Sequence, residues 1–469
     1  MKMFIVDDKE ENLCMLDLGR VVNQTQLGRH IIGSVIMTRK LAYLIFSILI
    51  LGLIFTNCDD KSSSKRSIVK LTYWPSSNPQ EIELARVQLE EWNKNHPRIQ
   101  VSMRPLPDDR PAEEVILAAI TDGSPPDVCS NIWPVAVPLY IEAGGLMAID
   151  EFEDFRDVVG NRSPQQMISS LRYQDGHIYQ VPWKGNPMMM QYNVRLLRKA
   201  NINKPPSSYS EFLDAAHKLI KDKNGDGKID QWAMDPNPSD DWWLRFFDLY
   251  PFYIAASGGK TLLKDMRVNF DNDDAVKVFD FWADGYKQNY FPRTTFPYEA
   301  FLKEEVAFHI SGPWNIAFIE KNKPEGFIYD VAPIPTPDDH RGPVYTYRDS
   351  KNISIFSNTT HPREAWEFVK FLINKENDLR LLETCSQIPL RKDLLTDPEF
   401  AGYFQANPMM EKFVAQAVFT REVYSSPHFR NILKIISQEY IISAIQGKKS
   451  SQQAVTDASQ KANEILGGS

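Results

Sequence analysis

Apolar and polar positions alternate over residues 68–74 (IVKLTYW), which predicts a strand. Residues 81–96 then carry Ile82, Leu84, Ala85, Leu89 and Trp92 at helical spacing, and 97–101 (PRIQV) begin a second strand. The alternation continues. A helix is predicted over 112–120, closed by Asp122-Gly123, and a strand ends just before Asn131. A further helix runs from Trp133-Pro134 to Ala143. Residues 177–181 predict a short strand that Pro182 stops, because proline has no N–H to give a sheet ladder. Residues 183–187 read as a loop, 188–192 as an apolar strand, and Asn193 as the N-cap of the next helix. Helices are also expected from Ser208 or Ser210, over 273–286 and over 362–374; strands are expected over 329–335 and within 344–356. This alternation is that of an α/β fold, and 469 residues suit two domains rather than one simple core.

The N-terminus carries a different pattern. Basic Arg39-Lys40, an apolar run over 41–55, and Thr56-Asn57-Cys58 followed by a polar stretch have the layout of a bacterial lipoprotein signal. The run is shorter than the ~20 residues of a spanning helix. Residues 37–57 are therefore expected to be a signal peptide, Cys58 the lipidated first residue, and 58–67 a flexible tether. Phe55 and Asn57 depart from the usual cleavage motif. Residues 1–36, with Asp7, Asp8, Glu10 and Glu11, fit no signal, so translation is expected to start at Met37; a small cytoplasmic tail is the alternative.

A net charge of −8 argues against a nucleic-acid binder. The four cysteines form no CxxC or Cys/His pattern, which argues against structural zinc, while a Cys129–Cys385 bridge remains open to an exported chain. Asp222, Asn224, Asp226, Lys228 and Asp230 follow the first half of a calcium loop, with Ala233 where the closing glutamate belongs. These residues make either a calcium site or a turn of similar composition. Asp240-Asp241-Trp242-Trp243 is the densest aromatic and acidic cluster. Paired carboxylates serve glycoside hydrolysis, but adjacent acids on one segment do not flank a scissile bond by themselves. Carboxylates that accept hydroxyl hydrogen bonds, beside indole faces that cover a pyranose, serve binding equally well. Binding is the favoured reading and hydrolysis through Asp240 or Asp241 the alternative. No Walker loop, dinucleotide fingerprint, nucleophile elbow or HExxH is present.

Several motifs, in order, carry a resemblance. Gly123 with Pro126-Asp127-Val128, then Gly145-Leu146 and Ile149-Asp150, form one. Gly176, Tyr179 and Pro182, then Tyr192-Asn193 and Pro205-Pro206, form the next. Phe301, Ala307 and Gly312-Pro313-Trp314 follow, then Ala365-Trp366 with Lys370-Phe371-Leu372, and Pro389 with Arg391. Over residues 68–466 the chain resembles the extracellular solute-binding proteins, the sugar-binding subunits of ABC importers. Glu304 departs from the family's glycine, and Tyr347-Arg348-Asp349-Ser350 stands where relatives have a glycine pair.

The resemblance implies a periplasmic-binding-protein-like α/β fold of two lobes joined by three crossovers, with a ligand cleft between them. Residues 68–185 and 348–398 would form one lobe, and 186–347 and 399–469 the other. Loops after strands at the carboxyl edge of an open sheet hold ligands, which puts forward Trp74, Ser76, Asn78, Asn131 and Trp133. The crossovers put forward Trp183, Lys184, Arg348 and Asp349. The second lobe contributes Asp241, Trp242, Trp243 and, by resemblance, Trp314. The implied function is non-catalytic: a lipid-anchored, monomeric carrier outside the cytoplasmic membrane or in the periplasm, with no required cofactor and no nucleic-acid partner. It would deliver a carbohydrate, expected to be an oligosaccharide, to ABC permease subunits or, alternatively, to a membrane sensor.

Overall fold

The chain is described by a computed structural model over residues 67–467, apart from 298, 393 and 425. The expected leader, signal peptide and Cys58 lie outside the described residues, as does nearly all of the tether. Among the described residues no helix is long and apolar enough to cross a membrane.

β1 (Val69–Trp74) and β2 (Ile99–Met103) are parallel, with Val69 opposite Ile99, and the helix Pro79–Asn95 connects them. Asn78 starts that helix by accepting the backbone N–H groups of Gln80 and Glu81 at 3.0 and 3.1 Å. Leu84, Ala85, Leu89 and Trp92 bury its apolar stripe. β3 (Val128–Ile132) pairs with the other side of β1. Then come β4 (Val181–Pro187) and β5 (Met189–Asn193), separated only by Met188. β6 (Trp232–Met234), a small hairpin of β7 (Leu263–Lys264) and β8 (Arg267–Val268), β9 (Val306–Ser311), β10 (Tyr329–Ala332), β11 (Thr346–Ile355) and β12 (Thr420–Arg421) follow.

The strands divide into two main sheets. One has the order β12-β11-β3-β1-β2, with β4 also paired to β11; the other has the order β10-β5-β9-β6. β4 and β5 therefore carry the chain directly from one sheet to the next, and β11 brings it back. Helices Pro79–Asn95, Phe155–Arg162, Pro362–Leu372 and Lys375–Cys385 share a core with the first sheet. Helices Tyr209–Leu219, Trp242–Ala256, Asp273–Lys287, Phe429–Tyr440 and Ser451–Gly467 share one with the second. This is the two-lobed α/β architecture the resemblance implies.

Two local expectations change. The strand expected over 177–181 begins at Val181 and continues through the residues expected to form a loop. Its partner is distant in sequence: β11 runs antiparallel to it, with Lys351 opposite Lys184 and Ile353 opposite Val181. The register shifts between Lys351 and Ile353, so Pro182 sits at an irregularity where a missing N–H is tolerated. Cys129 and Cys385 are both free and buried, so the bridge left open above is not made. Burial raises the pKa of the Cys129 thiol to about 12, which keeps it unreactive. Glu304 keeps the turn that the family's glycine would make. It adopts a left-handed backbone, φ +58°, and its carboxylate accepts from Arg195 Nε at 2.7 Å and Asn193 Nδ2 at 3.3 Å.

Beneath the first crossover lies a buried ionic knot. Arg162 donates through Nε and Nη2 to the two oxygens of Asp378, both at 2.8 Å, and the side chains are 3% and 0% exposed. The same guanidinium donates to the carbonyls of Pro182 at 2.6 Å and Trp183 at 2.8 Å, and Arg391 adds a third bond to Asp378 at 2.7 Å. Asp378→Ala leaves Arg162 charged and uncompensated, so it is expected to cost about 3–5 kcal/mol of unfolding free energy. The double variant Arg162→Met/Asp378→Leu removes the opposed pair but leaves Arg391 without its carboxylate and the Pro182 and Trp183 carbonyls without their donor, so it is expected to recover only part of that loss. Urea unfolding of the two variants beside the parent decides it.

Candidate functional site

A cavity of about 470 Å³ lies where the two sheets face each other, and its two walls differ in chemistry. On the side of the first sheet, the start of helix Pro79–Asn95 brings Ser76, Asn78 and Glu81. The segment before and into helix Ala112–Thr121 brings Asp108, Arg110 and Glu113, and the end of β3 brings Asn131 and Trp133. The crossover strands contribute Lys184, Asp349 and Lys351, with Gln387 beside them. On the side of the second sheet the lining is apolar: Met188, Trp242, Trp243, Leu244, Phe246 and Phe247, then Ile310 and Trp314.

The aromatic wall follows from helical geometry. Trp242–Ala256 is one helix, so Phe246 and Phe247 recur one turn beyond Trp242 and Trp243 on the same side. Trp242 and Trp243 meet edge-on with centroids 6.3 Å apart. Trp242 is nearly buried, whereas Trp243 and Trp314 are half-buried and keep ring surface toward the cavity. Gly312 is needed beneath Trp314, because a Cβ there would collide with the indole ring.

The polar wall is wired internally. Lys184 Nζ lies 2.6 Å from Glu81 Oε1, and both side chains are buried. Gln387 donates to the same oxygen at 2.8 Å and accepts from Asn186 Nδ2 at 3.1 Å. A second relay ties the crossover to the cavity: Trp133 Nε1 donates to the Tyr347 hydroxyl at 3.0 Å, and Tyr347 donates to Asp349 Oδ1 at 3.1 Å. Lys351 Nζ bonds the same carboxylate at 2.8 Å and lies 5.7 Å from the Trp133 ring centre. Burial by itself lowers the Lys351 pKa, but the carboxylates of Asp349, Glu113 and Glu81 outweigh it, so Lys351 is held above its ordinary value and charged. Glu113 is raised above the usual carboxylate range, chiefly by desolvation, with Lys351 opposing.

Of the residues put forward from sequence, Ser76, Asn78, Asn131, Trp133, Lys184, Trp242, Trp243, Trp314 and Asp349 all line this cavity. Trp133 does so mainly by its edge. It is 8% exposed, packed against Phe246 at 5.6 Å and Phe429 at 6.0 Å, and so offers little ring face for stacking. Trp74, Trp183, Asp241 and Arg348 do not line it. Trp74 packs in the first lobe with Arg104 over its ring, and Trp183 lies in the core of the first sheet. Asp241 takes a 3.3 Å bond from Ser239 at the start of its helix, and Arg348 pairs with Glu422 at 2.6 Å. Asp240 is exposed and away from the cavity.

In the loop expected to hold calcium, Asp222 accepts the N–H groups of Gly225 and Gly227, Asn224 that of Asp226, Asp226 that of Lys228, and Asp230 that of Lys223. Among the described residues no three His, Cys, Asp or Glu side chains lie together as a metal-holding group.

Sequence reasoning missed Glu81, Glu113, Lys351, Phe246, Phe247 and Gln387. The helical repeat signals the two phenylalanines, and strand alternation signals Lys351 two positions after Asp349. Nothing local signals that Glu81 meets Lys184.

Over residues 88–412 the chain matches the family described as bacterial extracellular solute-binding protein. It is 24% identical over 338 residues to a maltotriose-binding protein of Pyrococcus abyssi, covering 70% of this chain and 68% of that one. It is 22% identical over 340 residues to an sn-glycerol-3-phosphate-binding periplasmic protein of Pectobacterium atrosepticum, covering 67% of this chain and 73% of the relative. A solved structure, the maltose/maltodextrin-binding domain of Bdellovibrio bacteriovorus bound to maltotriose, superposes with a TM-score of 0.70 at 20% identity. That match covers 85% of this chain and 100% of the other, and it shows the shared fold.

The Trp133–Tyr347–Asp349 relay yields a direct test. Tyr347→Phe keeps the buried ring but leaves the indole N–H of Trp133 without its acceptor, while Asp349 Oδ1 keeps only its bond from Lys351. It is expected to destabilise the protein by about 1–3 kcal/mol in urea unfolding. An unchanged unfolding free energy would mean the relay contributes nothing to the fold.

Proposed function

The chain belongs to the bacterial extracellular solute-binding protein family, and on that premise we propose that it captures a carbohydrate, an oligosaccharide, between its lobes and passes it to an ABC permease. The observation that carries this reading is the pairing of the cavity's two walls. A pyranose has hydroxyl-bearing edges and an apolar C–H face. Ser, Asn, Asp, Glu and Lys side chains on one wall match the edges, and the half-buried rings of Trp243 and Trp314 on the other match the face. The resemblance to a protein named for maltotriose binding supports the same ligand class.

The lobes in this reading are residues 68–185 with 348–398, and 186–347 with 399–467, except that β12 and the ends of β4 and β11 (186–187 and 346–347) belong to the first sheet. A ligand that touches both walls is bound more tightly when they approach, so it shifts the population toward the closed form in proportion to that differential affinity. The ligand-contacting set is Ser76, Asn78, Asn131, Lys184, Asp349, Trp242, Trp243 and Trp314, with Trp133 setting the edge of the cleft. No covalent step is assigned, since Asp240 and Asp241 do not reach the cavity. Cys58 is the lipid attachment point that tethers a monomeric carrier to the outer face of the membrane. Replacing it with alanine is expected to move the chain from the membrane fraction to the soluble fraction.

The test is a panel of neutral oligosaccharides followed by thermal unfolding, with chromatography of the sugars afterwards. A bound sugar at a hundred times its Kd stabilises the folded state by about 2.7 kcal/mol, and the sugars are expected to be recovered intact. Trp243→Ala and Trp314→Ala are each expected to weaken binding about tenfold, which is 1.4 kcal/mol. Gly312→Ala is expected to weaken it similarly, by displacing the Trp314 ring. Stabilisation by no sugar, or the appearance of cleaved products, overturns the reading.

A further inference from the structure

Resting on the reading that the cleft binds a saccharide, we propose that it selects by charge: it takes neutral or amino-substituted saccharides and rejects uronic or phosphorylated ones, with Glu113 as the residue that enforces the choice. The argument starts from the cations that border the cavity, Lys184, Lys351 and Arg110. Each already has a carboxylate. Lys184 is committed to Glu81 at 2.6 Å, Lys351 to Asp349 at 2.8 Å, and Arg110 to its neighbour Asp109 at 3.2 Å. The two lysines are also largely buried, 2% and 17% exposed, so neither can swing to a new partner without uncovering its present one. The Arg110–Asp109 pair is a surface one, its side chains 61% and 65% exposed, where water screens the guanidinium and keeps its pull on a ligand weak. Among the described residues, the cavity therefore offers an incoming phosphate or carboxylate no uncommitted buried cation.

The carboxylates are not balanced in the same way. Glu81 and Asp349 are matched by the two lysines, but Glu113 and Asp108 border the same space without a side-chain hydrogen bond or ion pair of their own among the described residues. Asp108 is exposed, where water screens it; Glu113 is half-buried and has only the more distant influence of Lys351. Desolvation already disfavours its charge, so a second negative charge placed beside it meets both a like charge and a shortage of compensating donors. A sugar hydroxyl faces the opposite situation, since it donates a hydrogen bond to an acceptor that has none from the protein's side chains. An ammonium in that place donates the same bond and adds charge attraction.

This goes beyond carbohydrate binding as such, because nothing in an aromatic wall distinguishes a neutral pyranose from its uronic counterpart: both present the same C–H face. The selection lies in the polar wall alone.

The test uses the full chain on an array of neutral, amino, uronic and phosphorylated oligosaccharides. Titration calorimetry then compares the best neutral binder with its analogue oxidised to the carboxylate at every C6. The oxidised analogue is expected to bind at least about a hundredfold more weakly, since like-charge juxtaposition costs several kcal/mol. Glu113→Gln is expected to narrow that ratio by about tenfold or more, whatever it does to affinity overall. Glu90→Gln is the control. Glu90 pairs with the exposed Arg86 and does not border this cavity, so the ratio is expected to stay as in the parent. The ratio, unlike affinity or stability, does not move with a general loss of folded protein. A uronic or phosphorylated glycan among the strongest binders of the parent overturns the proposal, as does a ratio that Glu113→Gln leaves in place. An array with no binder of any kind overturns the saccharide reading itself, and this selection with it.

Discussion

All seven residues of β4, Val181–Pro187, are buried, and what keeps them so is the antiparallel ladder with β11. That ladder is the constraint on which the remainder rests. β4 runs straight into β5 of the other sheet, and β11 pairs with β3 and β12 as well as β4, so both lobes hang from the same two strands. Arg162 fixes the carbonyls of Pro182 and Trp183 from below, with its charge balanced by Asp378. The crossover is thus anchored by hydrogen bonds and charge where proline leaves the ladder short of a donor.

The same strands aim the polar groups of the cleft. Lys184 projects from β4, and Asp349 and Lys351 project from β11, so the cations of the polar wall are positioned by the element that joins the lobes. Each lysine meets a carboxylate, Glu81 or Asp349, and the Tyr347 hydroxyl links that second pair to Trp133. The polar wall of the cavity and the crossover strands are therefore one hydrogen-bonded structure.

How far the chain could be read without a structure differs by element. The helices starting at Asn193 and Ser208 are legible because the cap and the apolar stripe are local, and each of these side chains accepts the expected backbone N–H. Arg348 and Asp349 were both expected in the cleft, yet neighbours in a strand point to opposite faces. Once 348–349 lies in β11, Asp349 faces the cavity and Arg348 turns to Glu422; Trp183 enters the core of the first sheet at the register irregularity, with the Lys184 ammonium 4.4 Å from its ring centre.

The sequence by itself determined the family motifs, the alternation of strands and helices, the aromatic cluster at Trp242-Trp243, and the polar character of the segment after β1. These depend on contacts a few residues apart. Only the tertiary structure decided which face of β11 meets the cavity, that Glu81 is matched by Lys184, and that Glu113 is matched by no side chain among the described residues. The physical reason is that charge compensation in a cleft depends on separation in space. Glu81 and Lys184 come from segments that folding alone brings within 3 Å of one another.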